Sequence, residues 1–122
     1  MIGTSEALLR IELPGITPWR QGKVRDIYEA GPDHLVIVAS DRLSAYDSIL
    51  PTPIPGKGRV LTALSAFSFR TLASAAPHHF VGDDPRSYPP PFDRHAARLA
   101  GRSMLVRRAE RIDIECVVRG HL

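Results

Sequence analysis

The stretch Lys23-Val24-Arg25-Asp26-Ile27-Tyr28-Glu29-Ala30-Gly31-Pro32-Asp33-His34-Leu35-Val36-Ile37-Val38-Ala39 decides the fold. Residues 34–39 form a short, β-branched run bounded by turn residues, which marks a buried strand rather than a helix. Residues 19–29 read as an extended segment, and Gly31-Pro32-Asp33 as a turn. Two extended segments across so short a connection predict an antiparallel hairpin.

Working outward, residues 40–54 hold further strand-like pieces and run into Pro51, Pro53 and Pro55, which exclude a helix interior or a central strand there. Residues 59–76 contain no Gly or Pro. Val60, Leu64 and Phe67 recur at helical spacing, as do Leu61, Leu64 and Leu72, so one long helix is expected, stopped by Pro77. Phe67, Phe69 and Met104 read as core. Pro85 and Pro89-Pro90-Pro91 mark a loop, and Asp93 is placed to cap a short helix through Leu99. Two more strands are expected over 103–108 and 112–119. In the second, Ile112, Ile114, Cys116 and Val118 share one face, while Asp113, Glu115, Val117 and Arg119 share the other. Toward the amino terminus, residues 6–16 read as a short helix closed by Pro14-Gly15. The fold class is therefore α+β: a mainly antiparallel sheet with one long packed helix.

The 122 residues make one ordinary domain, and 43% apolar with 24% charged residues is a globular balance. No apolar run is long enough to span a bilayer, and the first residues carry no basic leader followed by an apolar stretch. The single cysteine, Cys116, forms no internal disulfide, which fits a reducing, cytoplasmic setting; its apolar neighbours make it a small buried hydrophobe. The net charge is +3, carried almost entirely by arginine, whose planar fork suits carboxylates and phosphates. The aromatic residues do not interleave with the basic ones as a single-strand stacking platform requires, so small anionic ligands are favoured over nucleic acid. The chain stops at Leu122 directly after a strand pattern with no closing element. We read residues 1–122 as cut short, with an open sheet prone to self-association.

Four segments carry candidate chemistry. Gly22-Lys23-Val24-Arg25-Asp26 lets backbone approach a phosphate at the glycine, with Lys23 and Arg25 on one face of a strand; it is neither a Walker loop nor a Gly-x-Gly-x-x-Gly turn, and an exposed charged hairpin reads equally well. Ser40-Asp41-Arg42-Leu43-Ser44-Ala45-Tyr46-Asp47 gathers acids, hydroxyls and an arginine behind the buried strand, either as a site or as a turn whose Asp and Ser cap backbone groups. Pro55-Gly56-Lys57-Gly58-Arg59 leads into the long helix, either as an anion site at its positive end or as a plain turn. Ile114-Glu115-Cys116-Val117-Val118-Arg119-Gly120 is the last strand. His78-His79 with Asp83 and Asp84 lacks metal-ligand spacing, so no metal site is assigned. No Ser/His/Asp or Cys/His set is spaced for covalent catalysis.

In this order, and with Leu50-Pro51-Thr52-Pro53-Ile54-Pro55-Gly56-Lys57-Gly58 between the second and last, these segments resemble the SAICAR synthetase family, in a bacterial style, from about Trp19 onward. The resemblance implies a sheet like the small lobe of a kinase, with residues 1–122 as an amino-terminal nucleotide-binding lobe whose second lobe is absent. It also implies a purine-biosynthetic ligase that uses ATP and Mg2+ to join L-aspartate to carboxyaminoimidazole ribonucleotide. By the same resemblance, Gly22, Lys23 and Arg25 cover the ATP phosphates, and Arg107, Arg108 and Glu110 belong to the hinge that meets the adenine. Ser44, Asp47, Lys57 and Arg119 line the imidazole-nucleotide side, with Lys23 and Glu115 in catalytic roles. Asp113 stands where the family signature usually has Pro. The acidic, metal-binding motif of the family has no counterpart here, so the Mg2+ ligands and full activity are expected to need more chain than this. Lys23, Lys57 and Arg119 are expected to converge on one cleft. A non-catalytic nucleotide-binding module and a small basic nucleic-acid-binding domain stand as the competing readings.

Overall fold

The computed structural model of the chain describes residues 7–121. The hairpin is there. β1 (Arg20–Gln21), β2 (Arg25–Glu29), β3 (His34–Ala39), β6 (Phe80–Gly82) and β7 (Ser103–Arg107) form one sheet in the order β1-β2-β3-β7-β6, with every pairing antiparallel. A separate small hairpin pairs β4 (Ser44–Ala45) with β5 (Ser48–Ile49). The long helix α1 runs over Lys57–Thr71, and a short α2 over Ala96–Leu99.

Strand alternation gives the large sheet two different faces. On one face Tyr28, Val36, Val38 and Leu105 pack with Ile11 and Leu13 from the amino-terminal segment and with Tyr88, Phe92 and Leu99 from the segment before β7, forming the core. Phe92 meets Tyr28 edge-on, with ring centroids 6.0 Å apart. Ile27, Leu35, Ile37 and Val106 point to the other face, in register across β2, β3 and β7. No described helix is long and apolar enough to cross a membrane.

The elements are locked together by a buried carboxylate. Asp41 is fully buried just past β3. It accepts from the backbone N–H of Leu8 (2.9 Å) and of Gly58 (2.9 Å), and pairs with Nη1 of Arg102 at 3.4 Å. Arg102 also donates to the Ala39 carbonyl at 3.0 Å. One side chain thus ties together the amino-terminal segment, the end of β3, the start of α1 and the start of β7. Burial alone raises the Asp41 pKa. The two N–H donors and the Arg102 guanidinium outweigh that and hold the carboxyl below its ordinary value.

The structure corrects several expectations. Residues 7–16 are irregular apart from a turn at Pro14-Gly15, because Ile11 and Leu13 are spaced as on a strand and both enter the core; Glu6, the expected start of a helix, lies outside the described residues. The helix α1 begins two residues early and ends at Thr71, with the stripe Gly58, Thr62 and Ala66 buried instead of its larger apolar residues. Phe67 is accordingly 65% exposed, because only small side chains let the helix backbone come this close to its support. Asp93 caps nothing, since the turn Phe92–His95 starts at Pro91 without a side-chain cap. Finally, residues 112–119 form no strand and Cys116 is exposed. Alternation needs a neighbouring strand to become a ladder, and none lies beside this segment among the described residues.

Two predictions come from this core. A Cβ on Gly58 would lie 2.5 Å from the Ala39 carbonyl oxygen and 2.7 Å from that of Ser40, both main-chain atoms that cannot retreat. Overpacking of about 2 kcal/mol or more outweighs the ~1 kcal/mol that Ala gains over Gly in a helix. Gly58→Ala should therefore lower the urea midpoint, whereas Gly82→Ala, with open space around it, should leave it nearly unchanged. Asp41→Asn should cost about 3 kcal/mol at neutral pH. Because the folded-state pKa is lowered, the wild-type advantage is present above the unfolded carboxyl value of about 4 and fades as pH falls through the still lower folded value. Denaturant melts of both proteins between neutral and acid pH should converge at the acid end.

Candidate nucleotide cleft

The apolar face of Ile27, Leu35, Ile37 and Val106 is the floor of a cavity of about 490 Å³. Trp19, Gly22 and His79 wall it, and Arg20, Arg107, Arg108 and Arg111 crowd its rim with Glu110. Guanidinium groups of Arg20 and Arg108 lie 4.4 and 4.5 Å from the centre of the Trp19 ring, and Arg108 also pairs with Glu29 at 3.3 Å. Burial, with His78 beside it, lowers the His79 pKa, so this wall is uncharged at neutral pH. A flat apolar floor under a cationic rim suits a planar heteroaromatic ring carrying phosphate.

The backbone prepares the same slot. Arg107 and Arg108 N–H groups are taken by the carbonyls of His79 and Asp33, both at 2.7 Å, which fixes the end of β7. The next residues, Ala109 to Arg111, line the cavity and leave the ladder, so their peptide groups remain available to the edge of a ring.

The tip of the β1–β2 hairpin lies over one end. Gly22 N–H bonds the Arg25 carbonyl at 2.7 Å, and a Cβ on Gly22 would sit 3.2 Å from that oxygen, so the turn is tight enough to favour glycine. Lys23 is thus at the tip rather than on a strand face shared with Arg25. Arg25 begins β2 and, by alternation, shares the cavity face with Ile27. The tip is held from below by Arg42: Nε donates to the Lys23 carbonyl (2.8 Å), Nη1 to that of Leu9 (2.8 Å), and Nη2 to that of Gly22 (3.3 Å) and to the buried Asp26 carboxylate (3.1 Å). Ser40 adds its hydroxyl to the Val24 carbonyl at 2.8 Å.

Of the expected site residues, Gly22, Arg107, Arg108 and Glu110 border this cavity together. Ser44 sits half-buried in β4, and Asp47 at the exposed β4–β5 turn, where its carboxylate pairs with Lys23. Lys57 opens α1, whose Gly58 N–H already serves Asp41, so the anion received at this helix start is the chain's own. Glu115 and Arg119 lie exposed on the irregular last segment. Lys23, Lys57 and Arg119, expected to converge on one cleft, do not meet at this cavity: none of them lines it, and neither do Arg25, Ser44, Asp47 and Glu115. Sequence reasoning passed over Trp19, Arg20, His79 and Arg111 as cavity residues, and Arg42 and Arg102 as anchors. The adjacent Trp19-Arg20 pair was a usable signal; nothing local marks Arg102, which follows a helix-ending glycine like any loop residue.

The match to known proteins is direct. The family model of SAICAR synthetase covers residues 18–122. A phosphoribosylaminoimidazole-succinocarboxamide synthase of Thioalkalivibrio sulfidiphilus is 48% identical over 118 residues, covering 97% of this chain and 40% of that protein. One of Desulfosudis oleivorans is 46% identical, covering 96% of this chain and again 40% of the relative. The chain thus spans about 40% of the length of the curated relatives it matches. Among solved structures, a SAICAR synthase from Saccharomyces cerevisiae complexed with SAICAR superposes with a TM-score of 0.72 at 38% identity, covering 84% of this chain and 37% of that one. A type-2 SAICAR synthetase in complex with ADP shares the fold at a TM-score of 0.57 and 21% identity, over 73% of this chain and 32% of that one.

Removing the Arg42 fork tests how the tip is held. Arg42→Met keeps the stem but strands the Asp26 carboxylate, which is only 5% exposed, and should cost about 3 kcal/mol. Amide exchange at Gly22 and Arg25 should accelerate by more than at the centre of β3.

Proposed function

The chain belongs to the SAICAR synthetase family, and from that membership we propose that it provides the nucleotide-binding part of an ATP-dependent ligase. The proposed reaction joins L-aspartate to carboxyaminoimidazole ribonucleotide, giving SAICAR, ADP and phosphate, in the cytoplasm. One observation carries the reading: the apolar slot on the second sheet face, rimmed by arginines and closed at one end by the Gly22 turn, has the shape and charge for a purine nucleotide.

The chemistry requires such a slot. A carboxylate is a poor electrophile until phosphorylation gives it a leaving group. The γ-phosphoryl group passes to the substrate carboxylate, and the amine of aspartate then attacks the acyl carbon and expels phosphate. The chain's contribution is to orient the adenine at Ala109 to Arg111 and to offset phosphate charge with Lys23, Arg25 and the arginine rim. We assign Ser44, Asp47, Lys57 and Arg119 to the second nucleotide and Glu115 to the reacting end. Magnesium accompanies the ATP in this reading. No group of three or more His, Cys, Asp or Glu gathers to hold it among the described residues, so no step is assigned to it here.

The test is ADP release by the chain, alone and combined with the remaining part of a curated relative. Release that requires both aspartate and the imidazole nucleotide supports the ligase, whereas ATP binding without release would leave a nucleotide-binding module. Polynucleotide binding that falls steeply with salt would instead favour the basic-domain reading. In the active combination, Lys23→Ala should chiefly raise the KM for ATP and Arg119→Ala that for the imidazole nucleotide. Equal effects of both variants on both ligands would refute this division of the cleft.

A further inference from the structure

Lys23 and Asp47 sit at the tips of two different hairpins, 24 positions apart in sequence, and their side chains meet in an ion pair. Both supports are firm. Arg42 holds the carbonyls of Gly22 and Lys23, and the small hairpin is closed by the Ser44–Ile49 and Ala45–Ser48 pairings and by a Leu50 N–H to Leu43 carbonyl bond of 2.8 Å. The pair itself is solvent-exposed, at 50% for the Lys23 side chain and 90% for that of Asp47, so the fold gains little from it. Yet the turn that presents Asp47 is an unusual one. Tyr46 and Asp47 both have positive φ, at 48° and 62°, in a two-residue hairpin loop where Asn-Gly is the common solution. Tyr46 is fully exposed, so no packing explains that backbone. What the turn achieves is to set the Asp47 carboxylate against the ammonium of Lys23, the residue that follows the cavity-lining Gly22.

We propose that Asp47 is the counter-ion that Lys23 gives up when the cleft fills. In this structure the carboxylate holds the ammonium; a phosphate group arriving beside Gly22 takes the ammonium over and releases Asp47 toward the second ligand. This rests on Lys23 being a phosphate contact. It makes Asp47 a positioning residue that couples the two sides of the cleft: the first ligand must displace it, and the second meets a carboxylate already freed. By linkage the coupling is reciprocal, so a ligand that engages Asp47 also strengthens phosphate binding.

The experiment is a titration of the 122-residue chain with magnesium ADP, and separately with tripolyphosphate, for wild type, Asp47→Asn, Lys23→Ala and the double variant. Asp47→Asn should bind both probes about two- to five-fold tighter at low salt, the range expected when an exposed ion pair no longer competes. Lys23→Ala should bind more weakly, and adding Asp47→Asn to it should change nothing. Backbone amide resonances of Gly22 and Asp47 should shift together as tripolyphosphate is added. Unchanged or weaker binding by Asp47→Asn, a gain that persists without Lys23, or a shift at Gly22 alone would each overturn the counter-ion exchange while leaving the nucleotide reading intact. Unaltered ADP affinity in Lys23→Ala would instead overturn the phosphate role of Lys23, and the exchange with it. Failure of the wild-type chain to bind either probe would overturn both.

Discussion

The Asp41 carboxylate is the constraint on which this structure depends. A carboxylate removed from water is costly unless its oxygens are occupied, and here a guanidinium and two backbone N–H groups occupy them. Those partners come from stretches far apart in the chain, so satisfying one charge places four segments at once. The close seat of α1 has the same origin: Gly58 donates to Asp41 while its missing side chain lets the helix touch the carbonyls of Ala39 and Ser40. With α1, β3 and β7 so placed, the sheet has one face committed to the core and the other left open between the β1–β2 tip and the end of β7.

That open face explains why one small sheet can serve as a binding surface. Period-two alternation gives each strand two sets of side chains; in the central strand β3 both sets are largely apolar, and β2 and β7 add Ile27 and Val106 to one face and Tyr28 and Leu105 to the other. One set is sealed by Ile11, Leu13, Phe92 and Leu99. The other faces the cavity and would be unfavourably wet without a ligand, which is the condition under which a flat ring gains most by entering. The polar groups needed for orientation lie at the ends of strands, where the ladder stops and backbone donors become free.

Much of this was legible in the sequence because it depends on local pattern. The hairpin of β2 and β3, the existence of α1, the strand β7 and the proline-rich connection all follow from periodicity and turn chemistry over a few residues. Gly22, Arg107, Arg108 and Glu110, named from the family resemblance, line one cavity. What escaped was set by partners. Residues 112–119 alternate as a strand should, but a ladder requires a second strand and the pattern cannot announce that one is missing. The face that α1 buries was misjudged because hydrophobicity ranked Phe67 above Ala66, whereas close approach selects Gly58, Thr62 and Ala66. Arg102 and Arg42 carry no local mark, since their acceptors are mostly main-chain carbonyls brought near by folding.

Asp41 and Asp47 show how far environment separates two like residues six places apart. Both carboxyls are held below the ordinary value, Asp47 by the bond and charge of Lys23. Asp41 achieves this against burial, with donors on three sides that cannot leave without unfolding the chain. Asp47 achieves it in open water with one flexible partner, and water can replace that partner at little cost. A buried charge with fixed partners specifies structure; an exposed charge with one mobile partner can respond to a ligand. The segment from Ser40 to Asp47 contains both, so the anchor of the fold and the movable charge beside the cleft are set by a single continuous stretch. Its rigid end, built by Ser40, Asp41 and Arg42, is what allows its far end to be held in a turn that the local sequence alone would not favour.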